Sequence, residues 1–265
     1  MSKRRTFFGI LAFLFIISAL LVGILIPDEL INADFTVKNM PPSLDHIFGT
    51  DWLGRDMFLR TIKGLSLSIV IGMASSLISV LIAVILGMIA GSFPKYFDSL
   101  ISLVIDLLMG IPHIVLLILI SFAVSRGFKG VFIGIALTHW TSLARVVRGE
   151  VLQIRNEHYI KVSRKMGKSS FWIMKNHILP FVVPQAIVGG ILLFPHAILH
   201  ESSVTFLGFG LSPETPAIGI ILSESMRYIA TGYWWLAFFP GAMLVVTVIL
   251  FDILGDFVKS LIVRE

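Results

Sequence analysis

The sequence predicts an all-α polytopic membrane protein with six transmembrane helices and a cytoplasmic loop of helical character. Three observations carry that prediction. The chain of 265 residues is 56% hydrophobic and only 14% charged, with a mean hydropathy of +0.93, whereas a soluble domain is about one quarter charged. Six apolar blocks are each long enough to cross a hydrocarbon core of about 30 Å as helix. Lipid leaves a backbone only the helix or the closed barrel, and none of these blocks has the ten-residue alternation of a barrel strand. Finally, one long polar interval, residues 145–180, separates two stretches of apolar sequence and holds eight of the 21 Lys and Arg residues. A basic, helix-forming interval between spans reads as a cytoplasmic loop with a partner to contact.

Taken in order, the first block covers residues 6–26 and follows Lys3, Arg4 and Arg5. A signal peptide also begins with such charge, but no small-x-small cleavage site follows here. Pro27-Asp28-Glu29 ends the run, and an uncleaved first span is the better reading. The polar interval 27–63 contains the turn-rich Asn39-Met40-Pro41-Pro42 and then HIFGTDWLGRDMFLR, residues 46–60, where Asp45, His46 and Asp51 read as turn formers. The remaining blocks lie near 65–91, 97–124, 130–148, 181–206 and 235–258. The chain thus divides into a first helix with its outer loop (1–64), a five-helix core (65–258) that includes the loop at 149–180, and a cytoplasmic tail (259–265).

Gly87 with Gly91, and Gly72 with Ser76, are spaced for close helix packing. Pro112, Pro184 and Pro195 fall in or beside apolar blocks and predict kinks or interruptions. Asp106, Asp252 and Asp256 are carboxylates in apolar surroundings, which normally face a protein interior, a cavity or a partner. Asp256 is near enough to a helix end to reach water. For Asp106 a structural hydrogen bond is favoured over a substrate role, and His113 beyond it fits either.

Orientation follows from the basic residues. With the amino terminus inside, the inner segments hold Lys3, Arg4, Arg5, Lys95, the eight of the loop, Lys259 and Arg264, fourteen in all, against seven outside. That bias predicts both termini, and the loop at 149–180, in the cytoplasm. The net charge of +5 belongs to this asymmetry, and basic residues are not interleaved with aromatics as a nucleic-acid surface would require. Cysteine is absent, which excludes disulfides and thiolate metal sites.

Within the loop, residues 159–166 and 169–177 form two short helical patterns hinged at Gly167. Ile160 and Met166 fall on one apolar side, and Ser169 and Ser170 are placed to cap the second helix. Gly167-Lys168-Ser169 imitates the end of a phosphate-binding loop, but that motif requires glycine where Val162 stands, and no strand precedes it. The chain therefore offers no nucleotide site and no cofactor of its own. ATP and magnesium would belong to another subunit.

Residues 157–180 resemble the EAA loop of binding-protein-dependent ABC importer permeases, down to a glycine at Gly167 and the Leu179-Pro180 ending. HIFGTDWLGRDMFLR resembles the outer-loop motif of the dipeptide/oligopeptide/nickel permease group, and SVTFLGFGLSPETPAIGIIL, residues 203–222, resembles that group's S-F-L-G-L-G segment. The likeness runs from about residue 46 to 256 and departs at two places. Val162-Ser163 stands where two alanines are usual, and SLIVRE replaces a D-P-R-like tail. The resemblance implies a coupling helix that docks into a groove on an ATPase, with Glu157, Tyr159, Val162, Ser163, Arg164, Met166 and Gly167 at the contact. It also implies a second, homologous permease, two cytoplasmic ATPase subunits, an extracytoplasmic solute-binding protein, a lipid surround and no nucleic acid.

The group carries short peptides, nickel or chelated metal, and the histidines bear on which. His196 and His200 are four apart, so they share a helix face beside Glu201. Imidazole is a good ligand for Ni(II), Co(II) and Zn(II). His139 is a third candidate ligand, although taken alone a hydrogen-bonded structural role is favoured for it. The H-x-x-L-H spacing ahead of F-L-G resembles the nickel-type permeases. The expectation is therefore import of nickel or a related metal, free or chelated, with His196, His200 and His139 along the path. Peptide import is the alternative. A channel or ion-gradient transporter would need no ATPase, and neither a nucleophile–base constellation nor H-E-x-x-H appears for an enzyme.

Overall fold

A computed structural model describes residues 3–262, and among them there is no strand beyond one isolated bridge between Thr50 and Asp56. Helix α1 (Lys3–Leu25) leads into two short 3-10 turns and an irregular segment. Next come α2 (Met57–Ser92), α3 (Lys95–Gly110), α4 (His113–Val124), α5 (Phe128–Thr138) and α6 (Trp140–Arg155). The short α7 (His158–Lys165) and α8 (Ser170–Ile173) precede α9 (Leu179–Phe206), α10 (Ile218–Ile229) and α11 (Trp235–Ile262). The expected tail 259–265 lies partly outside the described residues, as does Arg264.

Among the described residues five helical stretches are long and apolar enough to cross a membrane, and α5–α6 and α8–α9 each count as one. Where a sixth span is expected, near 97–124, stands a pair: α3 and α4 are apolar enough only together and are bent by 100° at Ile111-Pro112. Proline lacks the N–H that would continue the helix and drives its predecessor out of the helical region, and Ile111 accordingly sits at φ −93°, ψ 136°. Pro184 and Pro195, by contrast, lie inside α9 without ending it. The irregularity appears earlier, as a π turn at Met174–Ile178. Pro180 has no N–H for the Asn176 carbonyl and its ring crowds that group, which the wider turn relieves.

Helix α2 is the central post, with α1, α6 and α9 packed around it. Small residues make this possible. A Cβ on Gly87 would lie 2.7 Å from Val147 Cγ1, and one on Gly91 would lie 2.5 Å from Val151 Cγ1, both on α6. Gly72 faces Ile198 of α9 just as closely, at 2.8 Å. Both predicted small-residue pairs therefore contain a glycine at a helix–helix contact. Gly9 meets Phe257 of α11, Gly23 meets Ser66 of α2, and Gly91 meets α6 near its end. The start of α1, the end of α11 and the α7 loop consequently share one end of the bundle.

Polar ties hold the helices in register. Arg148 on α6 donates two hydrogen bonds to Asp98 on α3, at 2.5 and 2.8 Å. One helical turn away, Arg145 pairs with Asp106 at 2.5 Å, which gives Asp106 a structural partner. Asp252 and Asp256 lie exposed on α11. At the opposite end, Asp56 caps α2 by accepting from the Phe58 and Leu59 amides, and its other oxygen meets His46 Nδ1 at 2.8 Å.

Candidate functional site: a histidine-lined cavity and an exposed helical loop

The bend at Pro112 leaves a space that α3 cannot fill. The result is a cavity of about 740 Å³, bounded by the α3–α4 break, the α5–α6 junction and the middle of α9. His113, His139, His196 and His200 all line it. Each arrives by a different local route. His113 is the first residue of α4, immediately after the proline. His139 sits between α5 and α6, still in helical geometry at φ −78°, ψ −13°. His196 and His200 lie one turn apart on α9.

The predicted pair does not form the tightest group. Ring centroids of His113 and His200 are 4.4 Å apart, those of His113 and His139 4.6 Å, and those of His139 and His200 5.2 Å. One ring nitrogen from each of these three lies within 4.8 Å of the others. His196 is exposed to the cavity and stands outside that group. His113, open in sequence to a structural or a substrate role, was not grouped with His139 and His200 because nothing in its local sequence brings it near them. The Gly-Ile-Pro-His run was the available signal, since a break there turns His113 inward.

His139 is only 7% exposed. Its Nδ1 lies 3.1 Å from the Ile135 carbonyl oxygen and 3.2 Å from Thr138 Oγ1. A carbonyl only accepts, so Nδ1 carries the proton and Nε2 presents a lone pair. That Nε2 is buried without a hydrogen-bond partner, as is Nδ1 of His200. Thr138 Oγ1 also lies 3.5 Å from His113 Nε2. Glu201, beside His200, is fully buried and turned elsewhere, accepting from Thr205 and Ser202 at 3.0 and 3.3 Å.

The second feature is the loop. Helix α7 ends in a Schellman arrangement: the Lys168 amide donates to the Ser163 carbonyl at 3.2 Å and the Gly167 amide to that of Arg164 at 3.1 Å. Gly167 is in the left-handed region at φ +79°, as this cap requires. Ser169 caps α8, accepting from the Trp172 amide at 3.2 Å. The segment expected as a second short helix, 169–177, instead runs through the π turn into α9.

Ile160 is fully buried beneath the loop, whereas Met166 is 73% exposed, so the two do not share a side. Tyr159, Val162 and Phe171 are also exposed, and Glu157 and Arg164 stand at the surface beside them. Burial and the Glu157 carboxylate hold the Tyr159 phenol above its usual range, so it stays neutral. Ser163 Oγ contacts His177 Nε2 at 3.0 Å, tying α7 to the turn below it. Lys168 lies over the Trp172 ring at 4.8 Å, at the side of the loop rather than in a phosphate cradle. The arrangement presents apolar and basic groups together on a short, rigid projection.

A family model described as binding-protein-dependent transport system inner membrane component matches residues 83–264. The dipeptide transport system permease protein of Bacillus subtilis (strain 168) is 37% identical over 93% of this chain and 77% of its own length. The oligopeptide transport system permease protein of the same organism is 32% identical over 86% and 73% respectively. The glutathione transport system permease protein of Shigella flexneri serotype 5b is 36% identical over 96% and 85%. Among solved structures, a chain of the inward-facing methionine ABC transporter MetNI superposes with a TM-score of 0.64 at 19% identity, covering 78% of this chain and 98% of that one. At that identity the likeness speaks for the fold alone.

Proposed function

The chain belongs to the family of binding-protein-dependent transport system inner membrane components, and from that premise we propose that it is the permease subunit of an ATP-driven importer of short peptides. The observation that carries the cargo is near-full-length similarity to permeases named for dipeptides, oligopeptides and glutathione. This displaces the leading expectation of nickel, which none of those names supports. A second reading, a transition metal free or chelated, keeps one specific support: four histidines line the central cavity.

In this reading the α7 end faces the cytoplasm, with both termini on that side. Two ATPase subunits dock there, one against this chain's α7 and the other against a homologous second permease, while lipid surrounds the spans. Met166, Val162 and Tyr159 supply the apolar contact, with Glu157, Ser163 and Arg164 around them and Gly167 holding the turn. A solute-binding protein delivers cargo to the opposite face. ATP binding draws the ATPases together and pulls α7 with them, opening the cavity outward, and hydrolysis resets it. His196, His200 and His139 lie along the path.

Uptake of a labelled dipeptide by cells with and without this chain tests the proposal. Uptake should fall to background on deletion. Loss of radiolabelled nickel uptake alone, with dipeptide uptake intact, would reject the peptide reading in favour of the metal one.

A further inference from the structure

We infer that His113, His139 and His200 bind a single divalent transition-metal ion within the cavity, and that His196, one turn along α9, is the hand-over ligand. This deepens the metal reading of the cavity. It rests on the importer proposal only in putting the site on a transport path.

Three features point to a ligand rather than to packing. The rings come from three separate segments, the start of α4, the α5–α6 junction and α9, and converge until one nitrogen of each lies within 4.8 Å of the others. His139 is held in one tautomer by the Ile135 carbonyl and Thr138, which leaves Nε2 buried and unpartnered. Such a backbone bond on the far nitrogen is how metal-ligating histidines are oriented. The buried Nδ1 of His200 also lacks a partner. An unpaired buried nitrogen costs free energy, and two beside a third imidazole are accounted for together by one shared cation.

The ligand chemistry narrows the ion. Among the described residues no carboxylate lines the cavity, and Glu201 is committed to Thr205 and Ser202. Neutral imidazoles suit nickel, cobalt, zinc or copper and give magnesium and calcium nothing they prefer. Imidazole bonds to such ions are about 2.0–2.1 Å long, so each ring would swing inward by roughly half an ångström. Three imidazoles leave the ion an open coordination position. His196, exposed to the same cavity, supplies the next imidazole.

The test is titration with Co(II) of the full chain, purified with its partner subunits on a tag free of histidine and followed by visible absorption. One Co(II) should bind per copy of this chain. Loss of an outer-sphere group typically weakens a metal site about 10–100-fold, so loss of a ligand should cost at least about tenfold. His139→Gln, His200→Gln and His113→Gln should each show that loss, while His196→Gln should retain the bound ion and slow its release. Gel filtration of each variant confirms assembly, and His113→Gln, at a half-buried ring, is the substitution least exposed to misfolding. Absence of a cobalt band, or a band that survives all three substitutions in assembled protein, overturns the site. Dipeptide uptake without a cobalt band would leave the importer standing and remove the site. A cobalt band without dipeptide uptake would do the reverse.

Discussion

Asp51 is fully buried and accepts four hydrogen bonds through its side chain: from the Leu53 and Arg55 amides at 2.8 and 3.0 Å, from Arg55 Nε at 2.6 Å and from Arg60 Nη1 at 2.7 Å. Arg60 is itself only 3% exposed and reaches across to Glu224 on α10 at 3.0 Å. The carboxylate thus does two jobs: it closes the turn before α2 and neutralises a buried guanidinium. Removing one member of a buried ion pair typically costs about 3–5 kcal/mol, because the other charge stays behind. Asp51→Ala should therefore lower the apparent melting temperature of the purified protein by many degrees. Glu224→Gln, at a better hydrated partner, should lower it less. Equal melting for Asp51→Ala and wild type would show that water, not Asp51, satisfies Arg60.

At the scale of elements, the α2–α6 seam and the α7 loop respond to different physics. A Cβ at Gly87 would stand 2.7 Å from Val147 Cγ1 and 2.8 Å from the Ala144 carbonyl oxygen, and that backbone cannot give way. Gly87→Ala should destabilise by about 1–3 kcal/mol, as overpacking does. Gly149→Ala, on α6 with nothing within 4 Å, should be neutral or stabilise by about 0.5–1 kcal/mol through helix propensity; thermal melts of the two variants check both. Gly167 also has open space around it, so its constraint is conformational, at φ +79°. A side chain in that region costs roughly 1–2 kcal/mol, and Asn tolerates it better than Ala. Gly167→Ala should leave the bundle assembled while lowering cargo-stimulated ATPase activity of the complex, with Gly167→Asn retaining more; unchanged stimulation in both would separate the loop from the ATPase. Much of this scale was legible in sequence. The glycine spacing marked the seam, and Ser169 and Gly167 marked the loop's cap and turn. The 100° bend at Pro112 was legible only as a break, since its angle depends on what α5 and α9 leave free. His113 was missed as a member of the histidine group for the same reason. The Arg60–Glu224 tie joins residues 164 apart, and no local pattern reports it.

For the whole molecule, the decisive quantity is which end faces inward. Helix α2 has 36 residues, about 54 Å at 1.5 Å per residue, well beyond a hydrocarbon core of about 30 Å, so it must tilt or project. The packing fixes relative direction without reference to a membrane: Gly9 against Phe257 and Gly91 against Val151 put α1's start, α11's end and α7 together. That end also gathers Arg4, Arg5, Lys95, Arg155 and the basic residues of the loop. In the proposed orientation, charge bias puts α7 in the cytoplasm. Because the chain has no cysteine, single substitutions report position directly. Lys165 on α7 and Leu44 in the segment before α2 are both exposed, and they lie at opposite ends. In spheroplasts, a membrane-impermeant maleimide should label Leu44→Cys at once and Lys165→Cys only after permeabilisation. The reverse pattern would put α7 outside, where no ATP-hydrolysing partner could reach it, and would overturn the coupling role of the loop along with the orientation. Labelling of both sites in intact spheroplasts would instead mean that the bundle does not seal, and the cavity between α4, α6 and α9 would then be a passage rather than a gated chamber.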